Sequence, residues 1–334
     1  MTLSELPSRD AELKGDKESF PWTGNGAFLF PGQGAQKKGM GAELFKNFPA
    51  ARSVFLQAND LLGYDIADIC FNNPGDALRF TQYAQPASAV VDIAAYRAAV
   101  SICPELAINP PVASGGVSFG ELPNLVVAGS IGLADLFVMT GARGMIAEKA
   151  GNSHPGKMVS ILRLERADVQ EICSETGDVW AAIYYPGITV ISGSLKGIEK
   201  AVATISEKTR GRVIDMGVEY AFHTPLMESA LPEFARIIDD LEFKDPSHPV
   251  IMNPSIKTTR SGWEIKRMLP LGLTHPIDAV AMIAEAKSLG AKVFAEFCPQ
   301  PVLTNHLKRQ DKEAKALSVH DFDSAQQLAQ ILKF

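Results

Sequence analysis

The chain has 334 residues and a mass of 36.0 kDa, with 46% hydrophobic residues, 21% charged residues and a formal net charge of -6. That length and composition describe a soluble globular protein with a core large enough to need no disulfide or metal staple. The 38 Asp and Glu outweigh 32 Lys and Arg, and no basic run occurs, which argues against nucleic acid or an anionic membrane as the main partner. A small anionic substrate would then be held by one local cation.

The first 22 residues are polar and carry five acidic side chains, so they are neither a signal peptide nor an Arg-rich transit peptide. Residues 1–26 read as a flexible leader. Ordered structure is expected from Ala27-Phe28-Leu29-Phe30, a short apolar strand running into the turn Pro31-Gly32-Gln33-Gly34-Ala35-Gln36. Helical patterning follows from Ala42 to Leu62, and Thr81 to Pro86 opens a further helix, Ala87 to Val100, with an almost wholly apolar face. The segment Val112-Ala113-Ser114 leads into Gly115-Gly116-Val117-Ser118-Phe119-Gly120-Glu121. The most apolar run, Asn124 to Ala142, contains Asp135, Gly129, Gly132 and Gly141 and reads as a buried helix rather than a membrane span.

From about Gly151 the pattern changes to short alternating runs: Met158–Leu164, a helix Ala167–Thr176, Trp180–Tyr184, Thr189–Gly193, a helix Leu195–Lys208, and Arg212–Met216. This β-α-β-β-α-β order is the ferredoxin-like split pattern. The expected organisation is a small subdomain, 151–215, inserted into a larger α/β domain made of 27–150 and 216–334. Val293–Phe297 reads as a last buried strand. The four cysteines, Cys70, Cys103, Cys173 and Cys298, have neither CxxC nor metal-ligand spacing, which predicts reduced, buried thiols in a cytoplasmic protein and no metal site.

Gly116-Val117-Ser118-Phe119-Gly120 fits GxSxG, in which a serine sits on a strand-to-helix turn too tight for side chains two residues either side. The following helix N-terminus favours the negative charge that develops there. A serine needs a base, and of the six histidines His223 has the most telling setting, between an apolar strand end and Thr-Pro at a helix start. His154, His248 and His320 lie in polar, loop-like stretches and read as structural, while His275 and His306 remain open.

Phe30 to Gln36, Gln85-Pro86-Ala87, Gly116 to Glu121, Arg143-Gly144, Gly156-Lys157-Met158, Ala221-Phe222-His223-Thr224-Pro225-Leu226-Met227 and Glu296-Phe297-Cys298-Pro299 occur in that order. In this order they resemble malonyl-CoA:acyl-carrier-protein transacylases and the acyltransferase domains of polyketide synthases, over about residues 27–310. The resemblance implies an α/β-hydrolase-like core with an inserted ferredoxin-like subdomain, which agrees with the pattern above. It implies that Ser118 is the nucleophile and His223 its base, in a dyad without an Asp, with the backbone amides of Gln33 and Phe119 as the oxyanion hole. Arg143 matches the family arginine that pairs with the free carboxylate of a malonyl group, and Gln85, Phe222, Val117 and Tyr184 are expected in the substrate pocket. Such an enzyme takes acyl-CoA and the phosphopantetheine thiol of an acyl carrier protein as substrates, needs no cofactor, and works as a monomer.

Three positions depart from the family pattern. Val117 replaces the usual His before the serine, Tyr184-Tyr185-Pro186-Gly187-Ile188 replaces Asn-Ser-Pro-x-Gln, and Gly272 stands where many members carry Gln. With GVSFGE and AFHTPLM, which resemble polyunsaturated-fatty-acid synthase domains, these changes suggest an acyltransferase acting in trans for a polyketide or fatty-acid assembly line. Phe222 before His223 goes with malonyl rather than methylmalonyl in the polyketide relatives, a preference of about 1 kcal/mol for one methyl. The competing readings are an acyl hydrolase of the same fold, a non-catalytic carrier-docking relative, and an unrelated esterase pairing Asp278 with His306.

Overall fold

The computed structural model describes residues 21–332. Eleven strands follow in chain order among the described residues: β1 (Gly26–Phe30), β2 (Ala113–Gly116), β3 (Gly156–Leu162), β4 (Val179–Tyr185), β5 (Ile188–Ser194), β6 (Arg212–Val218), β7 (Val250–Met252), β8 (Lys257–Thr259), β9 (Ile277–Asp278), β10 (Val293–Phe297) and β11 (Lys315–Val319). They form two sheets, one ordered β11-β10-β1-β2-β7-β8 and the other β6-β3-β5-β4-β9.

The first sheet is parallel from β11 to β7, and β8 turns back antiparallel to β7. Its central strands β1 and β10 are buried throughout and apolar except for Glu296, as suits strands covered on both faces. Phe30 at the end of β1 lies opposite Gly116 at the end of β2, so the Gln33 turn and the Ser118 turn leave the same edge side by side. That crevice beyond the carboxyl ends of parallel strands is where open α/β sheets hold their ligands. β10 is buried as expected but is not the last strand, because β11 pairs along its outer side.

In the second sheet β6, β3, β5 and β4 are antiparallel neighbours, and β9 joins the β4 edge in parallel. One set of side chains, including Val159, Ile161, Val179 and Ile191, closes a separate core with Val169 and Ile172 of helix Arg166–Thr176 and Ile198, Ala201 and Ile205 of helix Leu195–Lys208. Ile183, Tyr185, Ile188 and Val190 join the main core instead. Alternation along the strands thus fastens the small sheet to both layers.

Three expectations change. The run 42–62 is two helices, Ala42–Asn47 and Pro49–Leu62, because Phe48 is extended before a proline. The apolar run after Ser118 is also two, Glu121–Val127 and Leu133–Ser153, separated where Gly129 takes φ +77°. The leader is not loose up to residue 26: Trp22 is fully buried, stacks on Phe28 with ring centres 5.2 Å apart, and donates from Nε1 to the Asn109 carbonyl at 2.7 Å. Its earlier part, 1–20, lies outside the described residues. Burying such a ring contributes about 2–3 kcal/mol.

Helices Thr81–Ile102 and Leu133–Ser153 cross closely enough that a Cβ on Gly144 would lie 2.6 Å from the Gln82 Cα. Only glycine permits that approach, and it sets Arg143, the preceding residue, beside Gln85. All four cysteines are buried. Among the described residues no helix is long and apolar enough to cross a membrane.

Candidate active site

The turn after β2 holds Ser118 at φ +56°, a left-handed conformation that a residue with a side chain occupies at a cost of about 1–3 kcal/mol. The neighbouring glycines are sterically required. A Cβ on Gly116 would lie 2.1 Å from the Gly120 carbonyl, and one on Gly120 would lie 2.5 Å from the Pro31 carbonyl oxygen. Val117 is fully buried and its side chain lies over Gly32, 3.2 Å from where a Cβ on that glycine would sit. The residue is therefore apolar filling beneath the Pro31–Gln36 turn. Asn253, just after β7, accepts from the Ser118 amide at 2.9 Å and donates to the Gly116 carbonyl at 2.6 Å.

One polar chain links the other side chains. Arg143 donates through Nη2 to Ser118 Oγ at 3.0 Å and through Nη1 to Gln85 Oε1 at 2.9 Å. Gln85 in turn donates to Thr81 Oγ1 at 3.0 Å, and Thr81 donates to Gln33 Oε1 at 2.9 Å. The Gln33 side chain is thereby anchored. Neither its backbone amide nor that of Phe119 donates to a loop or strand carbonyl among the described residues. Arg143 Cζ lies 5.3 Å from the centre of the Phe222 ring, a cation–π contact.

Arg143 is buried and forms no ion pair among the described residues. Burial lowers its pKa to about 10, and Glu121 opposes that shift, so it remains a cation at neutral pH. Glu121 forms no salt bridge with it among the described residues; burial pushes this carboxyl up to about 8, against the Asn253 amide and the Arg143 charge.

His223 also takes a left-handed conformation, φ +64°, held by its amide bond to the Leu273 carbonyl at 2.8 Å and by the Thr224 hydroxyl on the Ala221 carbonyl at 2.7 Å. Its ring is buried. Burial first and Arg143 second bring its pKa down to about 3, while backbone groups at Gly272 and His275 favour the charged form. Nδ1 has no hydrogen-bond partner of good geometry among the described residues. A neutral imidazole is the state able to accept a proton. The hydrogen bond of the Ser118 hydroxyl is to Arg143 rather than to this ring.

Ser118, Arg143, Gln85, Gln33, Phe222 and His223 therefore surround one site, with Val117 packed behind it beneath the Pro31–Gln36 turn. Tyr184 is elsewhere. It points to the helix side of the small sheet, where Arg166 lies 3.4 Å above its ring and Gln170 donates to its hydroxyl at 2.8 Å. The bulge in β4 between Ala181 and Ile183 shifts the alternation, and Tyr185 is the residue that faces the main core, stacked on His306 at 5.0 Å. Asp278 caps helix Ala279–Ser288 and pairs with Arg166, so it does not serve His306. His275 is exposed and bonded to the Leu271 carbonyl. Thr81 and Asn253 were not anticipated, since a lone Thr or Asn carries no spacing signal.

The chain matches the acyl transferase domain model over residues 27–329. It is 31% identical over 302 residues to the malonyl CoA-acyl carrier protein transacylase of Haemophilus influenzae, covering 89% of this chain and 96% of that protein. It is 35% identical over 286 residues to the polyketide biosynthesis protein ThaF of Burkholderia thailandensis, covering 85% of this chain and 24% of that protein. A malonyl-transacylase solved in complex with a type II polyketide-synthase acyl carrier protein superposes with a TM-score of 0.84 at 28% identity, over 91% of this chain and 98% of that one. A match over nearly the whole described length shows that the chain belongs to the acyl transferase domain family.

Proposed function

We propose that the protein moves a malonyl group from coenzyme A, through an ester on Ser118, to the phosphopantetheine thiol of an acyl carrier protein. The observation that carries this reading is Arg143, a buried cation that forms no salt bridge with a carboxylate among the described residues and reaches to 3.0 Å from the Ser118 hydroxyl. A buried charge without a hydrogen-bonded counter-ion is costly, and an acyl group bearing its own carboxylate supplies one. The planar guanidinium fork suits that carboxylate.

In the first half-reaction Ser118 Oγ bonds to the thioester carbonyl carbon as its proton passes to the neutral His223 imidazole. The amides of Gln33 and Phe119 receive the developing oxyanion. The C–S bond then breaks, and the coenzyme A thiolate takes the proton back from His223. The carrier thiol repeats the sequence in reverse roles. Proton and acyl transfer balance without a cofactor. The half-reactions succeed only if water stays out between them, and the burial of Phe119, Phe222, Arg143 and His223 supports that.

The same proposal reads the first sheet as an α/β-hydrolase-like core and the β3–β6 unit as a ferredoxin-like insertion, since the order β6-β3-β5-β4 with two helices on one face supports it. The hydrolase reading has no use for Arg143, and a docking relative has none for Ser118. Intact mass after brief exposure to malonyl-, acetyl- or methylmalonyl-CoA, with Ser118→Ala as control, tests the reading. One malonyl adduct that needs Ser118 and passes to an added carrier protein is expected. Free coenzyme A without an adduct would indicate hydrolysis and overturn it.

A further inference from the structure

Asn253 takes no part in the steps above, yet it is 3% exposed and bonds the nucleophile turn at both ends. The two peptide units before Ser118 contain four polar groups, and each has a partner. The Gly116 carbonyl accepts from Asn253 Nδ2 at 2.6 Å and the Ser118 amide donates to Asn253 Oδ1 at 2.9 Å. Between them, the Val117 amide donates to Phe30 and the Val117 carbonyl accepts from Gly120, both at 2.9 Å. On the far side, the Ser118 carbonyl accepts from the Glu121 amide. The Phe119 amide, in the first turn of a helical segment, has no intrahelical carbonyl to reach. Asn253 is itself tied down, because its backbone amide donates to Glu121 Oε1 at 2.8 Å.

We propose that Asn253 is a positioning residue for acyl transfer: by gripping Gly116 O and Ser118 N together it holds Ser118 in its left-handed conformation and leaves the Phe119 amide aimed at the oxyanion. The inference rests on the acyl-transfer reading of Ser118. A primary amide is suited to the task because it presents an acceptor and a donor side by side. Alanine offers neither. An ionised aspartate accepts from Ser118 but repels the Gly116 carbonyl, whereas a protonated aspartic acid restores both bonds.

The test is single-turnover acylation of Ser118 at saturating malonyl-CoA, followed by intact mass, for wild type, Asn253→Ala and Asn253→Asp. Asn253→Ala is expected to lower the acylation rate about 100-fold, the effect of losing one oxyanion donor, with half-saturation changed by less than about 2-fold because Arg143 and Gln85 are untouched. The rate of Asn253→Asp relative to wild type should rise as the pH is lowered and the new carboxyl protonates. Glu121, Arg143 and His223 titrate beside the same turn, and a new carboxylate shifts them, so Asn253→Ala, which keeps all three and adds no carboxyl, is the control. Asn253→Ala should show no such rise.

An Asn253→Ala rate within about 3-fold of wild type at equal folded fraction, a change in half-saturation alone, or a pH-independent Asn253→Asp ratio would overturn the proposal. So would an Asn253→Asp protein that is unfolded at every pH, which would assign the residue to folding alone. A fluorophosphonate that labels Ser118 supplies a second rate. A wild type that takes this probe but no malonyl group refutes the malonyl reading, and the positioning role is then decided on phosphonylation rates. A wild type that takes neither overturns both.

Discussion

Replacing Arg143 by alanine removes a buried cation with two separable effects. Its fork is the group on offer for a substrate carboxylate, and a desolvated charge-assisted pair of that kind contributes about 2–5 kcal/mol. Loss of it should reduce the preference for malonyl-CoA over acetyl-CoA by roughly 30- to 4,000-fold. Arg143 also donates to Ser118 Oγ, but both acyl donors lose that bond alike, so the ratio of their kcat/KM values isolates the carboxylate contribution. The second effect is on His223, whose pKa Arg143 helps to hold down at about 3. A base must be neutral, so activity is lost as pH falls through that pKa. Removing the cation raises it and should move the acid limb of the pH–rate profile to higher pH, still below an ordinary histidine because burial is the larger cause. The assay is kcat/KM for each acyl-CoA across pH, with Arg143→Lys expected between the two because it keeps the charge and loses the fork. A malonyl-to-acetyl ratio unchanged in Arg143→Ala, or an acid limb that stays or moves down, would refute the reasoning.

Other consequences follow from packing and burial. Gly144→Ala places a methyl 2.6 Å from the Gln82 Cα, so the helices must part; a loss of about 1–3 kcal/mol in chemical denaturation is expected, with weaker malonyl selection as Arg143 shifts. Asp92 is fully buried with neither carboxyl oxygen partnered among the described residues, and burial first and Glu296 second hold its pKa well above the usual carboxylate range. Its stabilising share is therefore complete below the unfolded-state pKa and is lost as pH rises. Asp92→Asn should remove that slope, so that its Tm relative to wild type climbs from acidic to alkaline pH; a difference constant with pH would contradict it. Tyr184→Phe loses one hydrogen bond on the helix side of the small sheet, about 1 kcal/mol of stability, and should leave Ser118 acylation within about 2-fold.

The sequence by itself determined the nucleophile turn and the chain-order set of motifs around it, because glycine spacing, a short apolar strand and a proline after His223 act on neighbouring residues. The β-α-β-β-α-β unit was legible for the same reason, its alternation being local; its strands run as far as Val218, slightly past the expected end. The helix breaks at Pro49 and Gly129 were written locally too, but apolar periodicity continues across them and hid them.

Only the tertiary structure decided what depends on residues far apart in the chain. Asn253 meets Ser118 across 135 positions because β7 lies next to β2, and nothing in the residues around Asn253 signals this. Tyr184 changed faces through a bulge in its strand, since a one-residue shift sends a side chain to the other side of a sheet. Trp22, at the end of a polar leader, is buried because Phe28 and the Asn109 carbonyl meet it there. Arg143 shows both levels: its place beside a glycine was visible in the sequence, but its reach to Ser118 exists because two helices cross at Gly144 and bring Gln85 alongside. Local sequence sets backbone conformation through short-range sterics, whereas the partner of a buried polar group is set by which strands and helices pack together.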